Sequence, residues 1–299
     1  MKTAVIVSSV NRPQVLHETV LALSRQTIPP LSIILSLCDT CSLSPETSCL
    51  PGVKVVQGQP GLTRQRNAGL SVVSSGAEYV LFLDDDTELA PNYLESMERL
   101  FDGRDDLAVA SAVFAMDGLR IGRPLSREEA IAAVNRQPCG YRTEPAEGIT
   151  GCNIFVRRPV AESVRFDERL PLSGWLEDFD FSVRSRAYGR VVWNFETCAA
   201  HLGIQRASRE RGFLVGYAQV ANSYYLCQKG IIPSFSNLLG TYWLPMFRQN
   251  LHCLLRCALY RNSPWNLVFD PPGRMAGSTR ALLDAALRRL RPERLLDFV

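Results

Sequence analysis

Residues Tyr79 to Leu89 read Y-V-L-F-L-D-D-D-T-E-L, and the fold turns on how this stretch is read. An apolar run, Tyr79 to Leu83, passes without interruption into Asp84, Asp85 and Asp86. Such a run marks a strand buried on both faces of a parallel sheet. Three adjacent carboxylates at the carboxyl end of that strand repel one another, which stability alone does not ask for. Alternate side chains on an extended backbone point the same way, so Asp84 and Asp86 can share a target while Asp85 faces elsewhere. A hard divalent cation relieves the repulsion, and oxygen ligands suit Mg2+ or Mn2+. The competing reading is a solvated acidic loop capping a helix that starts at Pro91, with Thr87 and Glu88 near its N-terminus. The buried strand in front favours the metal.

Upstream, Thr3 to Val7 reads as a short buried strand. Asn11 as N-cap, Gln14 three residues on and Pro13 near the first helical position form a helix-start signature. Val15, Leu16, Val20 and Leu23 share one helical face, and Pro29-Pro30 ends the element. Leu31 to Leu37 and Val53 to Val56 are the next strands, Gly58 to Gly61 a turn, and Leu62 to Ser74 a helix. This β-α-β-β-α-β order predicts an α/β fold, a mostly parallel sheet with helices on both faces. The segments Ser8 to Asn11, Asp39 to Ser42 and Asp84 to Asp86 each follow a strand's carboxyl end, where open α/β sheets bind ligands. Ser9, Asn11, Asp39 and the three acids are therefore expected to line one pocket. Asp39 suits either a turn or a carboxylate that receives a nucleotide base. No G-x-G-x-x-G follows the first strand and no G-x-x-x-x-G-K-[ST] occurs, so dinucleotide and P-loop readings lose support.

The chain of 299 residues, 46% hydrophobic and 21% charged, has the make-up of a globular protein with a substantial core. A net charge of +3 is too small to argue for nucleic acid. Six arginines against three acids from Arg274 onward can supply all of it. The apolar start, Ala4 to Val7, is too short for a secretory signal, and nine cysteines then point to reduced thiols and a cytoplasmic location. Cys38, Cys41 and Cys49 hint at zinc, but no partner pair follows at ligand spacing.

Beyond the middle of the chain, Gly148 to Arg158 reads G-I-T-G-C-N-I-F-V-R-R, and Phe166 to Arg184 contains W-L-E-D-F-D-F-S-V-R. Together with N-R-P after the first strand, L-T-R-Q-R-N-A-G-L and F-L-D-D-D, these motifs make Met1 to His201 resemble an inverting family-two glycosyltransferase of the GT-A fold. The resemblance implies a nucleotide-diphosphate sugar donor and a Mn2+ or Mg2+ cofactor. It implies that Asp39 contacts the base, Arg66 and Asn67 hold the nucleotide side, and Asp84 contacts ribose or sugar. Asp85 falls within the same acidic motif, and Gly151 and Asn153 match the G-x-N strand that lines donor sugar and acceptor. Asp86 and His201 would ligate the metal, His201 lying just after a last core strand at Val191 to Phe195. Asp178 would be the catalytic base, with Glu177 beside it near the acceptor. The usual D-x-S-x-D after the second strand lacks its second acid here, which leaves donor choice open.

Each of these residues also has a plainer explanation. Glu177, Asp178 and Asp180 open a helix, whose dipole favours acids there, and Asp180 with Arg184 can be an exposed ion pair. Arg64 and Arg66 can bind diphosphate or be solvated. A haloacid-dehalogenase-type magnesium phosphatase also places D-x-D after a buried strand, but Glu88 stands where that motif wants Thr. A GT-A-like domain that binds a sugar or scaffolds other enzymes without catalysis is the third alternative.

The expected division is a catalytic domain over 1–203 and a helical C-terminal region over 204–299. Phe213 to Cys227 is a helix, and Ala281 to Leu296 an amphipathic, arginine-rich one. Gly230 to Phe247 carries no charge for eighteen residues, yet its prolines, glycines and polar residues argue against a spanning helix. Phe235, Tyr242, Trp243 and Phe247, followed by Arg248, Arg256 and Arg261, suit either a headgroup-level segment or a buried helical subdomain. The sequence reading is thus a cytoplasmic, metal-dependent hexosyl- or deoxyhexosyltransferase acting on a saccharide or lipid-linked acceptor in polysaccharide biosynthesis. Peripheral membrane contact would run through the C-terminal region.

Overall fold

The computed structural model describes residues 1–39, 42–136, 140, 142–149, 151–204, 209–259 and 270–299. Among them the strands form one nine-stranded sheet in the order β3-β2-β1-β4-β8-β6-β9-β5, with β7 beside β9. β1 (Thr3–Ser9), β2 (Ser32–Leu37), β3 (Val53–Gln57) and β4 (Tyr79–Asp84) run parallel. β8 (Asn153–Arg157) is antiparallel to both β4 and β6 (Leu107–Asp117). β9 (Arg190–His201) runs parallel to β6 and antiparallel to β5 (Thr87–Leu89) and β7 (Thr143–Pro145).

Alternation along the central strands explains why they read as continuous apolar runs. Val5, Val7, Leu81 and Leu83 enter one core with Leu16, Val20 and Leu23 of α1 (Pro13–Leu23). Ala4, Ile6, Val80 and Phe82 enter a second core on the other face, with Leu70 of α3 (Leu62–Leu70). Between these two helices lies the short α2 (Pro45–Ser48). The second core also takes Phe166, stacked on Phe181 with ring centroids 4.5 Å apart. The sheet is thus sandwiched between helices, so neither face of its centre reaches water.

Several local expectations are corrected. Asn11 does not cap α1: it sits at φ 58, and Arg12 is the N-cap residue, with no side-chain cap bond. α3 stops at Leu70 rather than Ser74. No helix begins at Pro91, because β5 intervenes and α4 covers Tyr93–Phe101. β9 continues to His201 instead of ending near Phe195, with register shifts against β6 absorbing its irregularities. The C-terminal amphipathic helix is displaced and broken: Pro271–Ala286 is helical, Arg288 takes φ 56, and a separate 3-10 turn covers Pro292–Phe298. No described helix is long and apolar enough to cross a membrane.

The described chain divides into two compact units. The first comprises Met1–Gly118, Pro124–Asp167 and Glu177–Ile204, and the second Leu119–Arg123, Glu168–Leu176 and Gln205–Val299. In the second, the 20-residue helix Arg209–Gln228 and the helix Pro271–Ala286 approach so closely that a Cβ on Gly277 would lie 2.0 Å from the Phe213 carbonyl oxygen.

Asn153 ties the antiparallel part of the first unit together. Its Oδ1 accepts from the Ala112 amide at 2.8 Å, Ser111 Oγ at 2.9 Å and the Tyr93 hydroxyl at 3.0 Å. The backbone donor fixes which way the amide points, and the side chain is wholly buried in the sheet rather than set in a crevice. Asn153→Ala leaves three buried donors without their acceptor, and a loss of about 2–4 kcal/mol is expected. Urea unfolding at unchanged slope measures it.

Candidate active site

Arg66 stands where the two acidic motifs meet. It lies in the first turns of α3, which the Gln65 side chain ties to the sheet by donating to the Ser9 and Ser36 carbonyls at 3.0 and 2.9 Å. Only 1% of Arg66 is exposed. One terminal nitrogen donates to Glu177 at 2.7 Å; the other donates to Asp84 at 3.0 Å and to the Gly151 carbonyl at 2.8 Å. Its guanidinium lies 5.0 Å from the centre of the Phe166 ring. Burial disfavours charge on Arg66, but Glu177, Asp84 and Asp178 outweigh it and hold the group charged. One cation therefore joins the strand-end acids to the helix-start acids, residues more than ninety positions apart.

On the helix side, Glu177 and Asp178 open α8 (Glu177–Ser185), counting α5 (Gly118–Ile121), α6 (Arg127–Arg136) and α7 (Arg158–Val164) before it. Burial pushes the Glu177 carboxyl up, the neighbouring Asp178 adds to this, and Arg66 pulls it back. Asp178 is also raised, chiefly by burial, although its carboxylate accepts from the Phe179 and Gly151 amides, each at 2.7 Å. Gly151 is required by this approach: a Cβ there would lie 2.8 Å from Glu177 Oε1 and 3.4 Å from Asp178 Cβ. Asp180, by contrast, is no exposed ion partner. It is fully buried and bound by Arg184 at 2.6 Å, whose guanidinium also donates to the Arg165 carbonyl.

On the strand side the three acids divide. Asp85 is completely buried and accepts from Ser9 Oγ at 2.5 Å and from Arg12, so Ser9 serves the acid. Burial raises Asp85 while Arg12 opposes it. Asp86 accepts from the Ile204 amide at 2.8 Å and lies 3.5 Å from His201 Nε2. Burial would raise it, but His201, Arg12 and that amide hold it below the ordinary carboxylate value. Strand register brings His201 here, opposite Thr87 in β5 and beside Asp117 in β6.

His201 Nδ1 lies 3.0 Å from Asp117 Oδ1, the orientation that leaves Nε2 for a metal. Ligand atoms of Asp84, Cys152 and His201 lie within 4.8 Å of one another. With Asp86 against the same imidazole, this donor set fits a divalent cation. Asp84 joins Cys152 and His201 in that cluster, Asp86 reaches the same imidazole from beside it, and Asp85 turns away into the protein.

Of the remaining predicted residues, Asp39 accepts from the Ser42 amide and hydroxyl at 2.8 and 2.9 Å. It also lines a cleft of about 340 Å³ with Leu37, Leu43, Pro45, Val55 and Gln57. Asn11 is exposed and donates its amide to Ser42 Oγ. Asn67 joins the Phe166 backbone through both ends of its amide, each at 2.9 Å, so it pins the chain beneath Arg66. Cys41 lies outside the described residues, and Cys38 and Cys49 form no disulfide among the described residues.

Three contributors were not expected from sequence. Arg12 lies in the N-R-P motif but had no role assigned to it, Asp117 is placed only by strand register, and Cys152 is signalled only by lying between Gly151 and Asn153.

The sequence model described as Glycosyl transferase family 2 matches residues 4–165. No curated protein sequence matches the chain. Among solved structures, the Pyrobaculum calidifontis mannosyltransferase PcManGT in complex with GDP-Man and Mn2+ superposes at a TM-score of 0.58 with 16% identity, covering 97% of this chain and 87% of that one. Residues 1–349 of S. aureus TarS give 0.54 at 15% identity, covering 97% and 88%. GalNAc-T7 with UDP, GalNAc and Mn2+ gives 0.50 at 14% identity, and the match spans 67% of this chain but only 43% of that enzyme. At these identities the likeness extends to the fold, and the fold is that of GT-A glycosyltransferases. The family match, over more than half of the sequence, makes the chain a member of glycosyl transferase family 2.

Proposed function

We propose that this protein transfers a sugar, with inversion, from a nucleotide-diphosphate sugar to a hydroxyl of a saccharide or lipid-linked acceptor. The observation that supports the reading is the Arg66 bridge, which joins Asp84 of the strand-end acids to Glu177 of the helix-start acids. Asp86 and His201, with Asp84 beside them, would hold Mn2+ or Mg2+. The bound cation would neutralise the donor diphosphate and act as Lewis acid on the leaving group. Asp39, in its cleft at the ends of β2 and β3, is suited to receive the base.

Asp178 takes the proton of the attacking hydroxyl as that oxygen bonds to the anomeric carbon and the bond to the diphosphate breaks. Attack from the side opposite the leaving group inverts that carbon. Two amide donors hold the Asp178 oxygens in place, and its raised proton affinity makes it a stronger base than a solvated carboxylate. Glu177 keeps Arg66 oriented and accompanies the acceptor side.

The reading includes peripheral attachment at the cytoplasmic face of a membrane. Its support is Leu244, Leu251 and Leu255, about half exposed along the helix Leu244–Leu259, and the absence of any Asp or Glu between Glu210 and Asp270.

Asp178→Asn is expected to lower donor turnover about 10²–10⁴-fold while nucleotide binding persists. In the parent enzyme the base must be ionised, so activity falls as pH drops through the Asp178 value, and the midpoint lies above the ordinary 3.8. A pH–rate profile checks both sign and position. Thermal-shift titration should show nucleoside diphosphate stabilising the parent more with Mn2+ than without, and Asp86→Ala should remove that increment. Sedimentation with anionic vesicles should carry the parent down and leave a Leu251→Asp/Leu255→Asp variant in solution.

A further inference from the structure

The cation site has a softer side than its two acidic motifs imply, and Cys152 supplies it. The Asp84 amide donates to the Cys152 carbonyl at 3.2 Å, and Leu83 pairs with Asn153, so the backbone holds Cys152 beside the first acid. From the other direction β9 brings His201 to the same place, opposite Thr87. The Cys152 sulfur, an Asp84 carboxylate oxygen and a His201 ring nitrogen fall within 4.8 Å of one another. A tetrahedral zinc with bonds of about 2.0–2.3 Å has ligand atoms roughly 3.3–3.8 Å apart, so this cluster needs to contract by about 1 Å. Asp117 on Nδ1 supplies the outer carboxylate that orients a metal-binding imidazole. Oxygen ligands alone suit Mg2+ and Mn2+, whereas sulfur and imidazole together suit zinc and its neighbours in the series.

We propose that Cys152 sets the metal preference of this site, joining Asp84 and His201 to take Zn2+ or Co2+ more tightly than Mn2+ or Mg2+, with a further position left for water or a phosphate oxygen. As the sulfur–metal bond forms, the thiol proton passes to solvent, and no oxidation state changes. The inference rests on the reading that the crevice holds a divalent cation, and it assigns to this chain's own cysteine which cation is held best.

The test uses the full chain stripped of metal. Calorimetric titration with Zn2+, Co2+ and Mn2+ is compared between the parent and Cys152→Ser, with near-ultraviolet absorption recorded during the cobalt titration. The parent should develop a sulfur-to-cobalt band. The variant should lose that band and bind Zn2+ about tenfold or more weakly, while its Mn2+ affinity changes by less than about threefold. A second measurement needs no variant: Zn2+ should protect Cys152 of the parent from alkylation by N-ethylmaleimide, read by peptide mass spectrometry. Absence of the cobalt band in the parent, equal Zn2+ affinity in both proteins, or equal alkylation with and without Zn2+ would overturn the proposal. If Mn2+ still binds in those cases, the thiol assignment alone falls. If no cation binds, the metal reading of the crevice falls with it.

Discussion

A single guanidinium in a nearly water-free position ties distant segments of the first compact unit together. Arg66 satisfies one carboxylate from the strand β4 and one from the helix α8, and its remaining hydrogen bond goes to the Gly151 carbonyl between them. Removing one member of a buried charge group leaves the others uncompensated, which costs far more than the group's net contribution to stability. Such an arrangement is a weak source of stability and a strong source of geometry. It fixes the distance between the site's two negative ends before any ligand arrives.

The same logic explains the second arginine. Arg12, the N-cap residue of α1, neutralises Asp85 and donates to the Ile204 carbonyl at 2.7 Å, while the Ile204 amide binds Asp86. Three adjacent acids are thereby tolerable without a metal: one is paired with Arg12, one with Arg66, and the third is held by an amide and an imidazole. Asp84 and Asp86 then stand near His201, while Asp178 is held by the Gly151 and Phe179 amides beside Glu177, Arg66's other partner. Gly151 allows that closeness, since any side chain there would enter the space of Glu177. The aromatic pair Phe166 and Phe181 forms the floor beneath it, and Asn67 clamps the Phe166 backbone.

Much of this was legible in the sequence where a local pattern carried it. The apolar run into Asp84–Asp86 identified the central buried strand, and the strand-helix alternation gave the parallel half of the sheet. Glu177 and Asp178 stood out because their motif is contiguous. What was not legible depends on pairings between distant segments. Arg12 meets an acid 73 residues away, and Asp117 meets His201 because β6 and β9 run side by side with three register shifts. A period-two pattern broken by bulges does not announce a twelve-residue strand, so β9 was expected to stop early. Asn153 and Asn67 belong to motifs whose polar residues suggested ligand contact, yet the Asn153 amide oxygen and both ends of the Asn67 amide are bonded to protein partners, which only burial and donor geometry reveal.

The central claim is that the two acidic ends face one bound donor across a shared crevice. Anomalous diffraction from crystals grown with Mn2+ and a nucleoside diphosphate tests it most directly. The account predicts one manganese peak against Asp86 and His201, the diphosphate beside it, and the Asp178 carboxylate facing the same space from the far side of Arg66. A manganese peak away from those residues, or an Asp178 carboxylate in a cavity closed off from the diphosphate, would contradict it.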